Sequence, residues 1–130
     1  MLGTWKLNLE KSTWNAGNVL PPKSMTVTWV AEGQSIIGTL DEITGQDQPL
    51  KVVYMMNFDG QSHPITGSPL VDSGTYIRFG NTINESDFKN GKAVDIGQIT
   101  LLSDKTLQGT WDGIFPNGRS YHLILVWDKQ

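Results

Sequence analysis

Apolar and polar residues alternate in short segments along this chain, and such a segment recurs about every ten to fifteen residues. Fourteen glycines and six prolines interrupt the sequence too often for long helices. No window carries apolar residues at helical spacing with capping residues at both ends. Alternation with a period of two is typical of strands that bury one face. The sequence therefore predicts an all-β meander with little or no helix.

Turn residues divide the chain into nine predicted strands. The longest connections are 10–23 and 61–72, and the second carries three Pro or Gly residues with at most a short edge at 62–63. Asn90-Gly91 predicts a tight type I′ hairpin, because both residues accept a positive φ. The predicted strands are Thr4–Leu9, Ser24–Ala31, Ser35–Ile43, Leu50–Phe58, Gly74–Phe79, Thr82–Lys89, Ala93–Leu102, Thr106–Ile114 and Ser120–Asp128.

An open sheet of this many strands would leave two exposed edges, and closure removes both. The first and last predicted strands are apolar, as pairing between them requires. We therefore expect a single antiparallel up-and-down β-barrel of about 8–10 strands. The length of 130 residues fits one domain that spans the chain from 1 to 130.

The period-two pattern also predicts which side chains face the interior. Met25, Val27 and Trp29 share one face of their strand, opposite Thr26 and Thr28. The other strands give a similarly aromatic inward set. Glycines inside strands are expected to permit coiling or to leave room beside a large neighbour. A filled barrel and a barrel with a cavity for an apolar molecule both fit this pattern.

Composition excludes several classes of function. The net charge is −3, and the ten Lys and Arg residues are scattered, so nucleic acid is not an expected partner. The absence of Cys removes disulfides, thiolate nucleophiles and Cys-ligated metals. No apolar run has the length of a membrane span. We predict no cofactor, since no nucleotide fingerprint or phosphate-cradling loop is present, and no metal site. A trimmed mature start would place the protein in the periplasm or outside the cell, and a native start in the cytoplasm.

The opening Gly3-Thr4-Trp5-Lys6-Leu7 resembles the first strand of the calycin group, which includes lipocalins, fatty-acid-binding proteins and avidin-type barrels. The aromatic-bearing end Leu125-Val126-Trp127 and the chain length are similar too. Fatty-acid-binding proteins place a carboxylate-gripping Arg-x-Tyr on the last strand, and the Arg is missing here. They also insert a helical lid after the first strand, where this chain has the non-helical sequences Trp14-Asn15-Ala16-Gly17 and Pro21-Pro22.

The chain also resembles a group of small bacterial domains, often exported, that start with Gly-Thr-Trp-Lys-Leu-Asn. The shared segments are Phe58-Asp59-Gly60, 64–69, Asn117-Gly118 and the end Asp128-Lys129-Gln130. This resemblance implies the fold and export, and it brings no activity.

Few charged residues are candidates for chemistry. Strand carboxylates are expected on the solvated outer face, as at Asp41, Glu85, Asp87, Asp95 and Asp112. Glu42 is the exception, because it shares a predicted inward face with Leu40 near a barrel mouth. Arg78 shares a face with Tyr76, and it either finds a partner in Glu42 or a ligand anion, or reaches water at the rim. His63 is expected to be exposed, and His122 points outward unless a bulge turns it in.

The leading hypothesis is that the barrel binds a small apolar or aromatic molecule. Its proposed lining is Trp29, Tyr54, Met56, Tyr76, Arg78, Trp111, Tyr121, Leu123 and Leu125.

The alternative is a cofactor-independent isomerase, lyase or cyclase that acts on a hydrophobic molecule in the same cavity. Glu42, Asp112 or His122 would be its acid or base. A third reading is a structural or interaction domain with a filled barrel. The outward pairs Val53/Met55 and Ile124/Val126 would then form a homodimer contact, unless a flanking strand or loop covers them.

Overall fold

The computed structural model describes residues 1–130 and is built almost entirely of β-strands. The strands are β1 (Gly3–Leu7), β2 (Thr13–Asn15), β3 (Ser24–Glu32), β4 (Ser35–Ile43), β5 (Pro49–Met56), β6 (His63–Thr66), β7 (Ser73–Phe79), β8 (Thr82–Lys89), β9 (Lys92–Ser103), β10 (Thr106–Ile114) and β11 (Ser120–Lys129). The helical content is one 3₁₀ turn, Leu9–Lys11. The prediction of an all-β fold is confirmed.

Antiparallel pairing closes the sheet into a barrel. From β3 onward each strand pairs with the next, and β1 pairs with both β3 and β11. Trp5 lies opposite Lys129 and Leu7 lies opposite Trp127, so the first and last strands meet as expected. Closure produces a ten-stranded antiparallel barrel, and β2 follows β1 along the same edge of β11.

Two short strands lie in segments predicted to be connections. The side chain of Asn8 accepts a hydrogen bond from the Lys11 amide and caps the 3₁₀ turn, which lifts 9–11 out of the ladder. The chain then returns to β11 as β2, where Trp14 lies opposite Leu123. The second missed strand, β6, pairs with β5 and β7 over only a few residues and buries Ile65. Strand β2 depends on a partner at the far end of the chain, and β6 depends on a few pairs with its neighbouring strands, so neither follows from a local pattern.

One end of the barrel is filled with side chains. Trp5, Met56 and Ile83 are completely buried there, and Ile36 lies directly opposite Met56. These residues are close to the turns at 33–34 and 80–81. The indole of Trp5 donates a hydrogen bond to the Met1 carbonyl, and the Lys129 ammonium lies 4.8 Å from the centre of its ring. This end of the barrel is the closed end.

The chain covers part of its own outer apolar surface. Val126 is only 7% exposed although it alternates with inward residues. Its amide binds the Ser12 hydroxyl, and its carbonyl accepts a hydrogen bond from the Asn8 amide. Segment 8–12 therefore covers this strand. Val53 and Met55 remain half-buried on the outer face of β5. The homodimer stays a prediction, which sedimentation at several concentrations tests. The structure contains no helix with the length and apolar character that a bilayer span requires.

Candidate functional site

A cavity of about 720 Å³ occupies the half of the barrel opposite the closed end. Four connections line its mouth: 16–20 after β2, 44–48 between β4 and β5, 68–71 between β6 and β7, and the β10–β11 connection through Phe115. The Trp14 indole donates to the Val19 carbonyl at 2.8 Å and ties the first connection to the wall. Of the 34 lining residues, 23 are hydrophobic, so the cavity favours apolar contents.

Aromatic side chains dominate the wall. All three tyrosines and four of the five tryptophans line the cavity, and Trp5 at the closed end is the exception. The rings of Tyr54 and Tyr76 stack with centroids 6.2 Å apart. The Trp29 indole donates a hydrogen bond to the Tyr54 hydroxyl at 2.8 Å. The Tyr76 hydroxyl makes no hydrogen bond within the protein, although Tyr76 is almost fully buried.

Two rows of side chains cross the wall from strand to strand. The first row is set by the register Tyr76–Glu85–Gly97–Trp111–Leu123 on β7 to β11. The second row is Gly74–Asp87–Asp95–Gly113–Tyr121 on the same strands. Each row places carboxyl groups beside a glycine and an aromatic ring, so the glycines leave the lateral space that those groups occupy.

Three carboxyl groups of these rows, Glu85, Asp87 and Asp95, line the cavity, and we call them the acidic cluster. The expectation that they lie on the solvated outer face is wrong. A β-bulge is the reason for Asp95. From the Asn90-Gly91 turn, Phe88 pairs with Ala93, but the register then shifts so that Asp87 faces Asp95. Without the shift, Asp95 would lie opposite Ser86 on the outer face.

Hydrogen bonds satisfy part of the acidic cluster. The Trp111 indole donates to Glu85 Oε1 at 2.5 Å, and the Tyr121 hydroxyl donates to Asp95 Oδ2 at 2.7 Å. The Oδ1 atoms of Asp87 and Asp95 are buried and have no hydrogen-bond partner in the protein. Asp87 as a whole is only 6% exposed. The cluster therefore retains polar atoms that no N–H or hydroxyl group outside the cluster satisfies.

Burial and mutual repulsion change the protonation of these groups. Desolvation, followed by the charge of Glu85, strongly raises the pKa of Asp87, so its carboxyl is protonated at neutral pH. Desolvation and the charge of Asp95 raise the pKa of Glu85, while the Trp111 hydrogen bond opposes that change. Burial also raises the pKa of Tyr76 and of Tyr121, which keeps both phenols neutral.

Most residues predicted to bind a ligand lie in the cavity wall. The structure brings together Trp29, Tyr54, Tyr76, Trp111, Tyr121, Leu123 and Leu125. Met56 is fully buried in the closed end and does not line the cavity. Arg78 also departs from its expected place, because its side chain is exposed beside the β7–β8 turn. It donates to the Gly80 carbonyl and lies 5.9 Å from the centre of the Phe58 ring, so it reaches water at the closed end.

The three candidate catalytic residues do not form one group, because Glu42 lies apart from Asp112 and His122. Glu42 lines the cavity, and burial raises its pKa. Asp112 and His122 bind each other on the outer surface, with Oδ1 and Nδ1 2.6 Å apart. His63 binds Asp59, also outside the cavity. Arg78 and Glu42 do not pair, since Arg78 is at the closed end.

The lining contains no Lys, Arg or His, so all of its carboxyl groups face a cavity without a basic side chain. No group of three or more His, Asp or Glu side chains is arranged to hold a metal ion.

One sequence signal points to the acidic cluster, which the sequence analysis missed. Glu85 and Asp87 share a face of β8 with Ile83, which is completely buried. Asn84 and Ser86 lie on the opposite face.

The fold is similar to that of a solved binding protein. The crystal structure of zebrafish ileal bile acid-binding protein complexed with cholic acid (crystal form B) superposes with a TM-score of 0.56. The match covers 99% of this chain and 98% of that one, at 11% sequence identity. The likeness shows that the barrel is calycin-like. No protein-family model matches the sequence, and no curated protein is significantly similar to it.

Proposed function

We propose that this protein binds a small apolar or aromatic molecule inside the barrel. The observation that carries the proposal is the cavity of about 720 Å³ with its largely hydrophobic, aromatic wall. Its size lies within the range of roughly 300–1,000 Å³ that small-molecule sites occupy. The calycin-like fold adds support, because the similar zebrafish structure holds cholic acid in complex.

Most wall residues would make apolar contact with the ligand, and a hydroxyl group would orient it. The stacked pair Tyr54 and Tyr76 and the indoles of Trp29 and Trp111 would present flat apolar surface to the ligand. The Tyr76 hydroxyl has no partner in the protein and would bind a polar atom of the ligand. Leu123 and Leu125 would complete the apolar contact from β11.

Tryptophan fluorescence provides the test, because four indoles line the cavity. We expect a saturable change in emission when apolar and aromatic molecules of graded size are titrated into the protein. Val52→Phe adds volume to the wall and should weaken binding of the larger ligands. Its neighbour Val53 points outward, so Val53→Phe is the matched control and should leave binding unchanged. The absence of any saturable response across a diverse panel would refute the proposal.

A further inference from the structure

We infer that the ligand carries a protonated amine or a similar cationic nitrogen, and that the acidic cluster Glu85, Asp87 and Asp95 receives it. This inference rests on the proposed function, since it names the chemical class of the molecule bound in the same cavity. It begins from the charges that face the cavity. The lining contains four Asp or Glu side chains, which are the acidic cluster and Glu42, and no Lys, Arg or His.

The cluster lacks any compensating cation of its own. Its interactions within the protein come from neutral donors, the Trp111 indole and the Tyr121 hydroxyl, and from the hydrogen bonds of the Asp87 carboxyl with Glu85 and Asp95. Arg78 is exposed at the closed end, and Lys129 lies over Trp5. A buried carboxylate without a cation is costly, so the cluster must hold a proton or bind a cation, and a ligand cation can take the place of that proton.

Unpartnered atoms identify where such a group would bind. Asp87 is more than nine-tenths buried, lines the cavity and has no partner for its Oδ1 atom. Asp95 Oδ1 is buried and unpartnered as well, and the two residues are directly opposite each other on β8 and β9. An ammonium group has three donors and no acceptor, so it complements a pair of free carboxyl oxygens.

The surrounding rings favour the same chemistry. Tyr76 and Trp111 flank Glu85 in the first row, and Tyr121 adjoins the second row. Aromatic faces attract cations through their ring electrons, an effect that grows when the cation is desolvated. A ligand with a carboxylate finds the opposite situation, because no lining residue is basic and every ionised carboxyl of the lining repels it.

The test compares three probes that share one apolar body: 2-(2-naphthyl)ethylamine, 2-(2-naphthyl)ethanol and the anion of 2-naphthaleneacetic acid, called the acetate below. Calorimetric titration of the intact protein at neutral pH measures each affinity. We expect the amine to bind at least about tenfold more tightly than the alcohol, which is the size of effect that a hydrogen bond to a charged group gives. The acetate should bind most weakly.

Conservative variants locate the effect. Glu85→Gln and Asp95→Asn keep an oxygen for the Trp111 and Tyr121 hydrogen bonds, and each should lower the amine affinity toward that of the alcohol. The affinity for the alcohol should fall less than the affinity for the amine. Asp112→Asn makes the same change in charge on the outer surface and should leave all three affinities unchanged.

The outcomes separate this inference from the proposed function. If the alcohol binds and the amine binds no more tightly, or if the acetate binds best, the cationic-ligand inference is overturned while the proposed function stands. If none of the three binds, the inference is also overturned, and the wider fluorescence panel decides the proposed function on its own. If a variant fails to fold, the ranking of the three probes on the native protein still decides the question.

Discussion

The indole nitrogen of Trp111 donates a hydrogen bond to Oε1 of Glu85 across the backbone of Gly97. A Cβ atom on Gly97 would lie 2.5 Å from the Trp111 ring and 3.1 Å from Cγ of Glu85. A buried acid and the ring that binds it therefore share the space that one missing side chain leaves.

Gly97→Ala should disturb both side chains. We expect it to destabilise the fold by about 1–3 kcal/mol, the usual cost of adding a methyl group to a packed interior. Ligand affinity should fall too, because the displaced indole would enter the cavity. Urea unfolding and fluorescence titration measure the two effects. The neighbouring residue Gln98 is exposed, so Gln98→Ala is the control. Equal stability of the two variants would contradict this account of Gly97.

Stability should decrease as the pH rises from about 4 toward neutrality. Asp87 and Glu85 have pKa values raised above those of the unfolded chain, so the native state holds more protons in this interval. Their contribution is fully present below the unfolded pKa and is lost as pH rises through the folded pKa. Thermal unfolding in a series of buffers gives the dependence.

Asp87→Asn tests the origin of that dependence. An amide cannot ionise, so the variant should show a flatter profile and a higher melting temperature than the native protein at alkaline pH. Asp112→Asn, on the outer surface, should retain the native profile. A melting temperature of the native protein that rises steadily from pH 4 to 8 would count against buried protonated carboxyls.

The two stacked tyrosines should respond differently to loss of the hydroxyl. Tyr54→Phe removes the acceptor of the Trp29 indole and should cost about 1–3 kcal/mol, because it leaves a buried N–H unsatisfied. Tyr76→Phe removes a hydroxyl that has no protein partner, so stability should change by less than about 0.5 kcal/mol. Its effect should instead be seen in the binding of ligands that carry a polar atom. Denaturant unfolding of the two variants makes the comparison, and equal losses of stability would be inconsistent with it.

The pair of Asp112 and His122 should not contribute to binding. Both residues lie on the outer surface, away from the cavity, where such a pair stabilises the fold by at most about 1 kcal/mol. We expect His122→Ala to bind every ligand of the fluorescence panel with native affinity. Glu42→Gln, at a carboxyl that lines the cavity, is the informative comparison. A large loss of affinity in the His122 variant alone would show that the ligand reaches the outside of β11.

Local patterns accounted for nine of the eleven strands and for most of the cavity wall. The predicted bounds of Ser35–Ile43, Thr82–Lys89 and Thr106–Ile114 agree with β4, β8 and β10. Alternation is a property of consecutive residues, so it can be read without knowing what a strand pairs with. Trp29, Tyr54 and Trp111 could be named as wall residues for that reason.

Depth and register were decided by the tertiary structure. The sequence determined that Met56, Arg78 and Tyr76 share inward phases, but only the closed barrel set their height, with Met56 and Arg78 at the closed end. The bulge before Asp95 depends on pairing between β8 and β9, and it turned an expected outer carboxylate into the cavity. Whether the interior is full or hollow depends on the same distant pairings, because they determine how side-chain volumes from opposite walls add up. The aromatic interior was thus determined by the sequence alone, whereas its hollow half and its acidic cluster were decided by the fold.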